Sequence, residues 1–327
     1  METISIAAII ILSCLALTMT DLAISGVIAL LTQISFKKAF IWGLVSLAIP
    51  PLLAAYGVLI ERNIYQIKKT EISFENLPEG FDGYRVVQIS DIHARSFAKR
   101  GKSLQRAVRK INSLKPDLIV FTGDIVTMAA EELDSISGIL STLEAKDGVL
   151  SILGNHDYGI YGGGPDSPYP VRSSEESIDL LKEKQKRMGW DLLLDEHRFI
   201  RRGKDTIAVI GVENTSASSH FPSKGNLSKA SEGTEGYFRI LLSHDPTHWE
   251  MEVVGKDFPL MLSGHTHAMQ FALFGWSPSR YIFKQNKGLY EKNGQYIYVN
   301  KGLGETIVPA RVGTPPEITL HTLRIKP

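Results

Sequence analysis

The chain has 327 residues, with 36 Lys and Arg against 35 Asp and Glu and a formal charge of +1. That balance, without a basic stripe carrying interleaved aromatics, sets nucleic acid aside as a partner. The one cysteine, Cys14, lies in an apolar run, so neither a disulfide framework nor a thiolate metal site is available.

Taken from the N-terminus, Ile4 to Phe36 is apolar apart from Asp21 and small polar groups, and Ala39 to Ile60 is a second run of 22 residues without a charge. A membrane span needs about 20 such residues. Residues 1–69 therefore read as a multi-pass anchor of about two spans in the cell membrane, and 70–327 as the domain it carries. The first run is either one long tilted helix or two pieces broken near Asp21, and Pro50-Pro51 predict a kink in the second. Glu2, with no Lys or Arg before the apolar run, argues against a cleaved signal peptide. Lys37 and Lys38 lie between the runs, while Arg62, Lys68 and Lys69 follow the second, a count that leans toward the cytoplasmic face for the domain. Beyond residue 69 the charges balance, 31 basic against 32 acidic.

Five later runs read as buried strands: Arg85 to Ser90, Asp117 to Thr122, Val149 to Leu153, Phe238 to Ser243 and Pro259 to Ser263. Helical patterns lie between them. Leu104, Val108, Ile111 and Leu114 make one apolar face, Leu133, Ile136, Ile139, Leu140 and Leu143 another, and Ser173 with Glu176 forms a capping box opening a third helix that Gly189 stops. Further strands are expected at Asp205 to Val212, Gln295 to Val299 and Glu317 to Ile325, enough for two packed sheets with helices outside.

Three segments stand apart as substrate-side additions. Gly159 to Ser174, rich in Gly, Pro and Tyr, reads as a lid or a surface loop. Asn214 to Gly236 is polar, Ser-rich and expected to be mobile. Met269 to Tyr290 carries Phe271, Phe274, Trp276, Tyr281, Ile282 and Phe283, which belong either to the core or to a loop that dips into lipid or grips an acyl chain.

Each of the five strands closes on a polar motif: Asp91-Ile92-His93, Gly123-Asp124, Gly154-Asn155-His156-Asp157, His244 and Gly264-His265-Thr266-His267. Singly, each has a plain structural reading as a turn, a loop or an isolated polar group. Jointly they offer carboxylate, amide and imidazole ligands enough for two metal ions, a donor set suited to Mn, Fe or Zn. In open α/β sheets the carboxyl ends of strands are where ligands gather, which puts all five motifs on one rim.

This set, in this order, resembles the calcineurin-like metallophosphoesterase superfamily over roughly residues 84 to 325. The resemblance implies an α/β fold, a four-layer αββα sandwich, here preceded by N-terminal transmembrane helices. Carried over by position, it implies two divalent ions, with Mn favoured: Asp91, His93 and His267 on one, Asn155, His244 and His265 on the other, and Asp124 between them. An anionic bridge is also what two closely spaced cations require. His156 is implied as the proton donor to the phosphoryl group, with Asp157 orienting its ring, and water held by the metals as the nucleophile. Asn300-Lys301-Gly302-Leu303-Gly304 and Arg311 resemble a loop of membrane-associated members, and Arg311 reads as a clamp on a second phosphate or as a surface salt bridge.

The His-Asp-Pro at 244–246 and the N-terminal anchor look most like the bacterial membrane-bound phosphodiesterase branch, which includes a UDP-2,3-diacylglucosamine diphosphatase. The expected activity is hydrolysis of a phosphodiester or diphosphate in a lipid-linked substrate, with a phosphomonoesterase or phosphoprotein phosphatase, and a metal-binding membrane scaffold without turnover, as alternatives. Partners are thus a phosphoester and the membrane.

Overall fold

A computed structural model describes residues 6–162 and 169–326. Helix α1 runs unbroken over Ile6–Leu31, so the apolar run is one helix and Asp21 does not break it; the expected start at Ile4 lies outside the described residues. A short connection leads into α2 (Phe36–Gly43), a 3-10 stretch (Leu44–Ala48) and α3 (Ile49–Leu59). The tightened 3-10 turn sits where Pro50 and Pro51 withhold their N–H groups.

The two helices pack as an antiparallel pair: Cys14 Sγ lies 3.7 Å from Leu47 O, and the Asp21 carboxylate, 3.3 Å from Ser25 Oγ, fills the space that Gly43 leaves by having no side chain. Their outer faces stay exposed and apolar, Leu12, Trp42 and Leu52 among them. Both helices, Ile6–Leu31 and Phe36–Asn63, are long and apolar enough to cross a membrane.

The remainder forms two six-stranded sheets. The first has the order β1 (Gln66–Phe74), β12 (Glu317–Ile325), β2 (Arg85–Ile89), β3 (Leu118–Thr122), β4 (Val149–Ile152), β5 (Trp190–Leu192). The second runs β10 (Gly288–Lys292), β11 (Gln295–Val299), β9 (Leu260–Ser263), β8 (Phe238–Leu242), β7 (Asp205–Gly211), β6 (Glu196–Arg202). Strands β2 to β5 are parallel to one another, as are β7, β8, β9 and β11. Strands buried on both faces read as continuous apolar runs, and β3, LIVFT, is buried throughout.

Alternation along these strands builds three cores and hence four layers. Val86, Leu118, Val120 and Leu150 meet Ile207, Val209, Ile240 and Leu262 between the sheets. Val87, Ile89, Ile119 and Phe121 face outward, onto Leu104, Val108 and Ile111 of α4 (Gly101–Ser113). On the other side Ile210, Leu241, Met261 and Val299 face Leu227, Ala230, Trp249 and Val253. Leu227 and Ala230 belong to α7 (Leu227–Ala230), while Trp249–Val253 is a π-helical turn.

Two expectations change in detail. The apolar pattern around Leu133 to Leu143 forms a 3-10 turn, Ala130–Ser135, followed by a single α turn, α5 (Ser137–Leu140), instead of one helix. There Glu132 spends its carboxylate on the N–H groups of Thr127, Met128 and Arg95, which fixes the loop after β3 in place of a regular helix start. Helix α6 (Ser174–Arg187) keeps the expected capping box at Ser173 and Glu176, and Gly189 follows it at φ +80°.

Asn214 to Gly236, expected to be mobile, is anchored at its first residue. Asn214 is fully buried, its amide Nδ2 donates to Pro222 O and its backbone N–H to Tyr158 Oη. The lid segment Gly159 to Ser174 is described only at its two ends, since 163–168 lie outside the described residues.

Candidate metal centre

The motifs sit where parallel strands end: Asp91 and His93 after β2, Asp124 after β3, Asn155 to Asp157 after β4, His244 after β8, and His265 and His267 after β9. Their backbone is not that of ordinary loops. Asp91, His93, Asp124, His265 and His267 have φ of +48°, +44°, +60°, +73° and +49°, left-handed values that cost non-glycine residues about 1–3 kcal/mol each and persist only where surrounding structure imposes them. Close approach is part of that imposition: a Cβ at Gly264 would fall inside Ser90 Oγ and against Asp91 Oδ2, so only glycine lets β9 end beside β2.

The side chains converge in two groups that share Asp124. In one, His267 Nε2 lies 3.0 Å from His93 Nε2 and 3.2 Å from Asp91 Oδ1. In the other, His265 Nδ1 lies 2.8 Å from Asn155 Oδ1 and 3.3 Å from His244 Nε2. Asp124 Oδ2 stands 3.7 Å from His93 Nε2 and 3.2 Å from His244 Nε2. All of these groups are buried or nearly so.

Lone-pair atoms brought this close in a buried site are favourably placed to share a cation, and the groups Asp91, His93, His267 and Asp124, His244, His265 each place their donor atoms within 4.8 Å of one another. The donor set fits two borderline divalent ions. Burial alone would raise the Asp124 carboxyl, but the His244 imidazole beside it holds it well below the usual carboxylate range. Burial, reinforced by His156, keeps His93 well below the usual imidazole value and therefore neutral.

Backbone carbonyls and a carboxylate fix which nitrogen three of the rings present. Thr122 O accepts from His244 Nδ1 at 2.7 Å, which leaves Nε2 toward Asp124. Thr127 O accepts from His156 Nδ1 at 2.7 Å, which leaves Nε2 free. His265 presents Nδ1 inward, with its Nε2 3.6 Å from Asp245 Oδ2. Asp245 is itself held by Thr247 N and Thr247 Oγ1; the sequence reading noted it only as part of His-Asp-Pro and gave it no role beside His265. Phe221 and Phe283 were missed in the same role: they stack edge-on against His265 with ring centroids 4.9 and 5.4 Å away, and no local pattern marks a ring that arrives from a distant loop.

Two expected roles are corrected. Asp157 does not touch the His156 ring. Its Oδ1 accepts from Ile125 N (2.9 Å) and Val126 N (3.1 Å), and its Oδ2 from Asp124 N (2.9 Å) and Gly154 N (2.8 Å). It ties the β3 and β4 loops together, and the His156 tautomer is set by a carbonyl. Burial and the Asp124 carboxylate push Asp157 above the usual carboxylate range, against the pull of those backbone donors.

Arg311 neither faces a phosphate nor forms a surface salt bridge. It is fully buried and donates to Gly304 O, Thr314 O, Lys301 O and Gly302 O. Its Nη2 lies 3.2 Å from His267 Nδ1, so the guanidinium closes the loop after β11 against the back of a site histidine.

Residues 84–269 match the family model for calcineurin-like phosphoesterases. The chain is 31% identical over 276 residues to the metallophosphoesterase YkuE of Bacillus subtilis, covering 82% of this chain and 89% of the relative. It is 32% identical over 289 residues to a transmembrane protein with a metallophosphoesterase domain from Danio rerio, covering 85% and 62%. It is 28% identical over 330 residues to the UDP-2,3-diacylglucosamine pyrophosphatase LpxG of Chlamydia trachomatis, covering 86% and 96%.

Proposed function

We propose, for a chain that belongs to the calcineurin-like phosphoesterase family, that it is a membrane-anchored dinuclear phosphohydrolase acting on a phosphodiester or diphosphate of a lipid-linked substrate. The observation that carries the reading is the pair of ligand groups meeting at Asp124, with His156 beside them. Asp91, His93 and His267 would hold one divalent ion, Asn155, His244 and His265 the other, with Asp124 shared, and Mn is the favoured metal. Bound there, such ions supply Lewis acidity and a water acidified enough to act as a nucleophile near neutral pH.

The chain's own groups do the rest. His156, anchored through Nδ1 on Thr127 O, presents Nε2 as the atom that would pass a proton to a leaving oxygen. It is buried beside Asp124, its backbone N–H donating to Asp124 Oδ1 at 2.8 Å. Asp157 keeps the Asp124 and Asn155 loops at fixed separation, Asp245 and the two phenylalanines orient His265, and the burial of the cluster excludes bulk water and strengthens its electrostatics.

The apolar helices through Asn63 are assigned as the anchor and the sheets that begin at β1 as the catalytic domain, so the boundary expected after residue 69 moves ahead of Gln66. The basic residues Arg62, Lys68 and Lys69 favour the cytoplasmic face. The lipid-linked class is supported by these apolar helices and by the likeness to the diacylglucosamine pyrophosphatase. The test compares, in Mn, cleavage of a chromogenic phosphodiester, its monoester and UDP-2,3-diacylglucosamine in mixed micelles by the full-length protein. Preference for the diester or the lipid-linked diphosphate is expected. Faster cleavage of the monoester would return the reading to a phosphomonoesterase.

A further inference from the structure

Apart from the helices, the greatest concentration of exposed apolar side chains among the described residues lies in one loop, directly beyond the site histidine His267. Phe274 is fully exposed, Tyr281 76% and Ile282 65%, with Leu273, Trp276 and, from a neighbouring segment, Ile307 also exposed. A patch of this kind marks an interaction surface.

Its backbone is held in place at some cost. His267, Ala268, Met269 and Gln270 are four consecutive residues with φ between +49° and +55°, and Phe274 (φ +48°) and Ile307 (φ +59°) are left-handed as well. For a β-branched isoleucine this conformation is a genuine outlier. Strain that presents an apolar side chain to the outside indicates a use for that side chain.

What occupies the patch follows from what the loop is fastened to. Gln270 Nε2 donates to Val308 O and Ala310 O, Val312 N to Gln270 O, and Ala272 N to Val312 O. The same 308–313 segment is fastened to the end of α3: Arg62 Nη1 donates to Pro309 O, Gly313 N to Glu61 Oε2, and Arg311 N lies 3.4 Å from Gly57 O. The contact is tight enough that a Cβ on Gly57 would come within 2.8 Å of Arg311 O. Two strand-like spacings, about 10 Å, therefore separate the start of the aromatic loop from the last turn of the second apolar helix.

The other end of the loop reaches the metal centre, where Phe283 packs on His265. Aromatic rings flanked by a cation, here Trp276 and Tyr281 with Arg280 5.9 Å from the Tyr281 ring, are the side chains that settle at a bilayer interface.

We infer that the 271–283 loop, with Ile307, inserts into the bilayer surface beside the end of α3, so that the metal centre opens at the membrane plane and takes phosphoesters whose apolar part stays in the lipid. This rests on the proposed membrane placement of α1 to α3, and it adds a second, non-spanning point of insertion that orients the site.

The test uses the full-length chain with Cys14→Ser removing its native thiol, one chain per nanodisc of phosphatidylcholine and phosphatidylglycerol. A single fluorophore is attached at Phe274→Cys, Ile282→Cys, Leu59→Cys at the helix end, or Phe199→Cys on edge strand β6. Exchanging the lipids for chain-brominated ones should quench the probes at 274 and 282 about twofold or more, as at 59, and leave the one at 199 unchanged. Quenching at 59 without quenching at 274 and 282 would overturn the inference while leaving the spans in place. Silence at 59 as well would overturn the membrane placement itself. Shielding of the 274 probe from water only when two chains share a disc would assign the patch to a second copy, and would equally overturn the inference.

Discussion

Replacing Asp157 by Asn separates the two roles this residue has been given. Its carboxylate accepts four backbone N–H groups, from Asp124, Ile125, Val126 and Gly154. An Asn side chain offers one acceptor oxygen, which can keep at most two of them, and turns an NH2 donor toward the others. Each buried N–H left unpaired costs about 1–3 kcal/mol, so the loss is about 3 kcal/mol or more, a drop of about 10 °C in Tm for a domain of this size. Because the donors belong to the loops carrying Asp124 and Asn155, metal content should fall with Tm.

His156→Gln is the counterpart. It should lower turnover by about 10²–10⁴ while metal content and Tm stay near wild type. The assay is thermal unfolding, bound metal and diester turnover for both variants in the same bilayer. An Asp157→Asn protein with wild-type Tm and metal content, but with the catalytic loss of His156→Gln, would refute the loop-tying role and restore Asp157 as the residue that orients His156.

Four other outcomes are expected. Asp124→Asn removes the shared carboxylate and most of the turnover, checked by rates in saturating Mn. Asp245→Asn weakens the hold on His265 and lowers affinity for one of the two ions by about 10–100-fold, read as the metal concentration that restores half-maximal activity. Arg311→Lys leaves most of its carbonyl partners without a donor; Tm falls by several degrees while KM is unchanged, whereas a phosphate clamp would show in KM. His321 is fully buried, between Thr70 and Gln88, and burial lowers it to about 3. The unfolded chain protonates this group below about 6.5 and the folded chain does not, so its contribution is intact above pH 6.5 and is lost as the pH falls, about 2 kcal/mol by pH 5. His321→Gln should flatten that slope in unfolding measured from pH 7 to 5.

The strands that end on ligands were legible to within about a residue because buried parallel strands are both apolar and abruptly terminated by polar groups. Leu118–Thr122 ahead of Gly123-Asp124 is the clearest case. The second helix was legible from its uncharged length. Edge elements such as β5, β6 and β10 were not, since half-exposed strands like Gly288–Lys292 alternate too briefly to stand out. The residues that gather in the candidate site could be read, but their supports could not. Asp157 and Arg311 look like chemical groups in sequence, and only the folded loops reveal that backbone N–H groups gather on the one and backbone C=O groups on the other. The Met269 to Tyr290 segment showed the same limit. Its aromatics were visible, but whether they lie in a core or at a surface depended on Val312 and Gly57, far away in sequence.

The most direct measurement is the number of divalent ions bound per chain in full-length protein equilibrated with Mn, counted by elemental analysis beside Asp124→Asn. Two ions per wild-type chain, with at least one lost in the variant, is the result that ligand groups meeting at Asp124 predict. One ion or none in the wild type, or a full pair retained in the variant, would contradict the dinuclear centre.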